Sequence, residues 1–229
     1  MDHRDYRLWD LPTRLFHWFL ALAIVAASVS GQLGGGLMTL HGRIGLAVVG
    51  LLAFRLAWGL VGSTYARFGQ FFPTPARIRA YLRGEWQGTG HNPLGALSVF
   101  CLLGVLIAQA ATGLFANDDI AFTGPLYDLA GKARSNGLTA IHHLLSKLVY
   151  VLVALHLAAV AFYAFARKQN LVRPMLTGRK AGTGEPARGG GAVALAVALA
   201  VAAVAVHGAR GGWMPPPPPP PPAASTPDF

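Results

Sequence analysis

The stretch Leu138–Ala166 constrains this chain most. It is apolar apart from Lys147, a few hydroxyl-bearing residues and its histidines, and it is long enough to cross a hydrocarbon core as a helix, for which about 20 residues suffice. His142 and His156 stand 14 residues apart within it. At about 100° and 1.5 Å per residue, that offset puts both on one face, within about 40°, and about 21 Å apart along the axis. One imidazole is therefore expected near each surface of a core roughly 30 Å thick. His143 is rotated by about 140° from the face of His156 and makes a poorer partner.

Composition agrees with a membrane class. Of the 229 residues, 53% are hydrophobic and 12% charged, about half the charge of an ordinary soluble domain. The net charge of +10 would suggest nucleic acid in a soluble protein, but here the basic residues gather in short loops, so no nucleic-acid partner is expected. Cys101 is the single cysteine, which excludes a disulfide framework, a CxxC redox pair and a CxxCH haem-attachment motif. There is no Ser/His/Asp set, phosphate loop or dinucleotide fingerprint.

Further crossings follow in order. Met1–Arg14 is a polar leader, and Leu15–Ser30 is the first apolar run, with His17 near its start. A cleaved signal peptide is the competing reading, but His17, Trp18 and Asp10 do not suit its layout. After the glycine-rich turn Gly31–Leu40, His41 opens a second run that continues through Ile44–Val61 and holds Arg55. Ser63–Pro93 is a basic, aromatic connection, and Asn92-Pro93 starts a third helix, Leu94–Ala116, as cap and first residue. Asn117–Gly137 reads as an acidic loop before the central helix. Arg167–Arg188 is basic, and the nearly pure Ala/Val stretch Ala192–Val206 is just sufficient for a fifth crossing. Pro215–Pro222 is expected to form polyproline II. The expected fold is an all-α integral membrane protein: a four-helix transmembrane bundle plus a fifth, C-terminal crossing. The expected divisions are 1–180 for the bundle domain, 181–210 for a linker and fifth helix, and 211–229 for a proline-rich tail.

Lys and Arg set the orientation. Thirteen lie in the leader, Ser63–Pro93 and Arg167–Arg188, against four on the other side, which places the N-terminus in the cytoplasm. His17 then lies level with His156, and His41 level with His142. Two histidines per layer leave a bare ion short of ligands, whereas a haem brings four nitrogens and asks for one or two axial ligands. Polar residues at that depth are expensive and usually functional. His91, His143 and His207 read as packed, hydrogen-bonded residues instead. Arg55, 14 residues after His41, falls on nearly the same face at the level of His17 and His156, where it could meet a haem propionate or snorkel to the surface. Lys147 lies between the layers with no chosen partner. Gly42, Gly45 and Gly50 read as helix packing rather than porphyrin approach.

Five motifs carry a family resemblance: Leu11-Pro-Thr-Arg-Leu-Phe-His17-Trp, His41-Gly-Arg-Ile-Gly, Phe54-Arg-Leu-Ala-Trp-Gly-Leu-Val-Gly-Ser63, Gly90-His-Asn-Pro-Leu-Gly95 and Asn170-Leu-Val-Arg-Pro-Met-Leu-Thr-Gly-Arg-Lys180. Across Tyr6–Lys180 the chain resembles the bacterial cytochrome b561 family, which includes b-type cytochrome subunits of nickel–iron hydrogenases. The resemblance implies two haem b groups with ligands at His17, His41, His142 and His156. It also implies electron transfer between a quinone pool and a redox partner such as a hydrogenase, a dehydrogenase or a c-type cytochrome, in the bacterial inner membrane. The competing functions are a histidine-lined metal-ion transporter, which carboxylates within the helices would favour, and a membrane anchor for a periplasmic complex.

Overall fold

Asp10 starts the first long helix. Its Oδ1 accepts a hydrogen bond from Thr13 N at 2.7 Å, and Pro12 supplies the preset first-turn geometry, so α1 runs Leu11–Leu33. Its second carboxylate oxygen accepts from the indole Nε1 of the fully buried Trp58 at 3.0 Å, tying the start of α1 to the end of α2, Met38–Val61. In this computed structural model residues 5–182 and 184–215 are described. Between α2 and the next crossing the chain forms two short helices, α3 (Phe68–Phe71) and α4 (Pro75–Leu82). Asn92 caps α5, Pro93–Gly113, through its Oδ1 and Gly95 N at 2.7 Å, as its Asn-Pro start foretold.

α6 departs from expectation. Helix begins at Tyr127, not near Leu138, and runs to Phe165, interrupted only at Gly131, whose φ of 70° and ψ of 165° kink it. The acidic loop is accordingly shorter than Asn117–Gly137. Its polar residues serve packing: Asn117 Nδ2 donates to Ser135 Oγ at 2.5 Å and to Asn136 Oδ1 at 3.0 Å, and Ser135 Oγ donates to Phe115 O at 2.7 Å. These bonds stitch the end of α5 to the first turns of α6, where polarity alone suggested a loop.

α7 (Val172–Thr177) follows, and α8 spans Ala192–Ala209, slightly longer than foreseen. Among the described residues, one antiparallel ribbon joins β1 (Asp5–Arg7) to β2 (Arg179–Ala181), in register Asp5↔Ala181, Tyr6↔Lys180 and Arg7↔Arg179. Among the described residues, α1, α2, α5, α6 and α8 are long and apolar enough to cross a membrane. α2 is the hub, with α1 and α8 along its sides and α5 touching it, while α6 lies along α5. Their buried core joins Phe16, Leu52, Phe54, Trp58, Leu103 and Ala198, whereas Leu22, Leu155 and Val193 are exposed, as lipid-facing residues are. The proline stretch, Pro215 apart, lies outside the described residues.

Candidate functional site

Between α6 and the α1–α2 pair the backbones approach little. Side chains face one another across that space, and four of them are the predicted histidines. His17 of α1 and His156 of α6 have ring centres 6.4 Å apart with planes at 50°. His41 of α2 and His142 of α6 are 6.1 Å apart at 87°. The unbroken helix after Gly131 holds His142 and His156 on one face about 21 Å apart, so the two pairs form separate layers. A metal bound by two imidazoles, at about 2.0–2.1 Å from one nitrogen of each, holds the ring centres roughly 6 Å apart.

Hydrogen bonds orient two of the rings. His41 Nδ1 lies 2.9 Å from Ala27 O, and His142 Nδ1 lies 2.9 Å from Gln109 O. An Nδ1–H donated to a carbonyl fixes the tautomer that leaves Nε2 as the basic nitrogen. Thr112 Oγ1 also approaches His142 Nδ1 at 3.3 Å, and the Gln109 amide nitrogen reaches His142 Nε2 at 3.1 Å. Gln109, a polar residue inside an apolar helix, was not picked out from the sequence; its Oε1 is buried without a partner. His17 Nδ1 is likewise buried and unpartnered.

Two glycines make the approach at the His41–His142 pair possible. A Cβ at Gly31 would stand 3.0 Å from Cε1 and Nδ1 of His41, and one at Gly113 would stand 2.9 Å from Cε1 of His142. Neither was singled out from the sequence, because nothing local marks which neighbour a glycine meets. Gly42 and Gly50 do pack helices, against Phe122 and Val206 respectively, while Gly45 meets nothing within 4 Å.

Arg55 is 3% exposed and donates to Ala66 O at 3.1 Å, so its side chain does not snorkel into water. Its guanidinium sits 4.5 Å from the Phe68 ring and 6.0 Å from that of Phe16, the neighbour of His17. Lys147 is exposed, and so is His143, against the expectation of a packed, hydrogen-bonded residue. His207 is exposed as well, against the same expectation, on the side of the last turn of α8 away from the buried Ala209. His91 is packed between Trp9 and Phe71, at 4.6 and 4.4 Å, but its buried Nδ1 lacks the expected hydrogen bond. Burial, seconded by the nearby Arg55 charge, pushes the His91 pKa down to about 3.

Among the described residues, no group of three or more His, Cys, Asp or Glu could hold a metal ion. Paired imidazoles suit a centre that brings its own equatorial ligands, as a haem does. Five membrane-length helices define a multi-pass helical membrane protein, with two histidine pairs facing one another across its bundle. Residues 8–178 match the sequence model of prokaryotic cytochrome b561, and the chain belongs to that family of membrane electron-transfer cytochromes, whose b-type character implies haem b. Similar proteins named "Probable Ni/Fe-hydrogenase B-type cytochrome subunit" occur in Azotobacter chroococcum mcd 1 (26% identity, 75% of this chain and 86% of that protein) and Azotobacter vinelandii (25%, with the same coverage). Another bears that name in Rhizobium leguminosarum bv. viciae (22%, 79% and 90%). No solved structure matches the chain. α8 lies beyond the matched family segment.

Proposed function

We propose that this protein is a dihaem b cytochrome carrying electrons across the membrane between a quinone pool and a redox partner. His17 and His156 would hold one haem, and His41 and His142 the other. The observation that carries this reading is the spacing of the two ring pairs, 6.4 and 6.1 Å, close to what one shared metal requires. Haem supplies four equatorial nitrogens and a reversible one-electron couple.

The chain's residues do the rest. The carbonyls of Ala27 and Gln109 orient His41 and His142, and Gly31 and Gly113 leave room for those rings. The apolar walls exclude water, and Arg55, buried beside Phe16, supplies a positive charge near the His17–His156 layer for a haem propionate. The names of the three relatives favour a hydrogenase as the redox partner over a dehydrogenase or a c-type cytochrome. The basic excess at one end of the bundle favours a cytoplasmic N-terminus in a bacterial inner membrane, with residues 1–180 as the haem-binding unit.

A pyridine haemochrome assay with a reduced-minus-oxidised spectrum tests the reading. Two low-spin, non-covalent haems per chain are expected. His17→Ala or His156→Ala should lose one, His41→Ala or His142→Ala the other, and His143→Ala neither. One haem per wild-type chain, or a haem lost with His143, would refute the two-pair assignment.

A further inference from the structure

A groove of about 630 Å³ runs along the outside of the bundle between α1, α2 and α8. It extends from Leu11 and Leu195, in the first turns of α1 and α8, to Ala23 and Ala202 further along those helices. On α1 that is 12 residues, or about 18 Å, close to half the thickness of a bilayer core. Its lining carries no charged or hydrogen-bonding side chain. One wall, α8, lies outside the segment matched by the family.

The mouth is of opposite character. Arg7, four residues before Leu11, donates to Ala187 O at 3.2 Å, which sets it beside Arg188 in the segment leading into α8. Both arginines are exposed. Arg188 meets Glu185 only at 3.8 Å, between highly exposed side chains, and such pairs contribute little. Arg7 also stands opposite Arg179 in the ribbon, with Asp5 next along the same face. Like charges directly opposed across a strand pair repel, and an anion bound there would relieve that repulsion.

An apolar slot about 18 Å long, whose α1 and α8 walls are each preceded in the chain by an exposed arginine, suits the shape and charge of an anionic phospholipid. We propose that the groove holds one such lipid, an acyl chain along α1 and α8 and its phosphate at Arg7 and Arg188. The site requires only that the bundle is membrane-embedded and is independent of the haem assignment.

Native mass spectrometry of the full-length protein, released from nanodiscs of mixed phosphatidylglycerol and phosphatidylcholine, tests this. One phosphatidylglycerol per chain should be retained in preference to phosphatidylcholine. The double variant Arg7→Gln/Arg188→Gln should retain it roughly thirtyfold less, a factor of about five for each arginine near an anionic headgroup. Ala47 lines the groove and is exposed, so Ala47→Phe should fill it and abolish retention without disturbing the core. An unchanged visible spectrum and elution volume in each variant mark intact folding, and Leu148→Phe, on the exposed face of α6, is the control for an added aromatic ring. Equal retention of the two lipids, retention unaffected by either variant, or a quinone in the groove instead of a phospholipid would overturn the proposal.

Discussion

At the residue scale, Arg55 and His91 are two buried bases with opposite consequences. Arg55 donates to a loop carbonyl and lies against two aromatic rings, and a guanidinium there favours the reduced form of a nearby haem. On the proposed two-haem assignment, Arg55→Leu should therefore lower the potential of the haem held by His17 and His156 and leave the other nearly unchanged. A 59 mV one-electron shift corresponds to about 1.4 kcal/mol, so a partly screened contact predicts tens of millivolts, read by redox titration. An equal shift in both haems would place Arg55's influence elsewhere. His91 works through stability. With its pKa pushed down to about 3, the folded protein stays unprotonated at this site while the unfolded chain takes up a proton below about pH 6.5. The folded state is then penalised as pH falls from 6.5 towards 3, by about 2 kcal/mol at pH 5. His91→Phe, which keeps the ring between Trp9 and Phe71, should flatten the pH dependence of thermal denaturation across that window. A slope unchanged by the substitution would remove His91 from that role.

At the element scale, α6 carries one histidine of each pair, and Gly131 sets its direction. A φ of 70° with ψ of 165° is backbone that a side chain enters only with strain of about 1–3 kcal/mol. Gly131→Ala should lower the thermal midpoint accordingly while leaving the visible spectrum intact, since His142 lies three turns further on. If the spectrum changed with no loss of stability, the kink would be part of the site. From the sequence, the central helix was legible because its apolar run and histidine spacing are local. Its early start was not, because Asn117, Ser135 and Asn136 look like loop residues until they bond to one another across two elements. Likewise Asn92-Pro93 announced α5, whereas nothing local announced the pairing of β1 with β2 from opposite ends of the family segment.

For the whole molecule, five helices of membrane-crossing length would put Asp5 and Pro215 on opposite sides of a bilayer. With the N-terminus in the cytoplasm, a reporter active only in the periplasm should be active when fused after Pro215 and inactive when fused after Lys180. A chain cut after Arg188 and fused there should also report as cytoplasmic. Activity at Lys180 would invert the topology, and inactivity at Pro215 would remove α8 from the membrane.

Composition, hydrophobic run length and the 14-residue histidine offset are local properties. They determined from the sequence alone that this is a helical membrane protein with histidines at two depths. Depth along the helices matched His17 with His156 and His41 with His142, but whether the rings of each pair face one another depends on how separate helices are rotated and placed, and that is decided by packing. Trp58 locks to Asp10, α8 seats along α2, and α6 stands off from α1 and α2. The same packing decided that Gly31 and Gly113 abut the rings, that Arg55 is enclosed, and that α8 closes a groove. Each is a contact between residues distant in sequence, specified by the shape of both partners, which neither stretch encodes by itself.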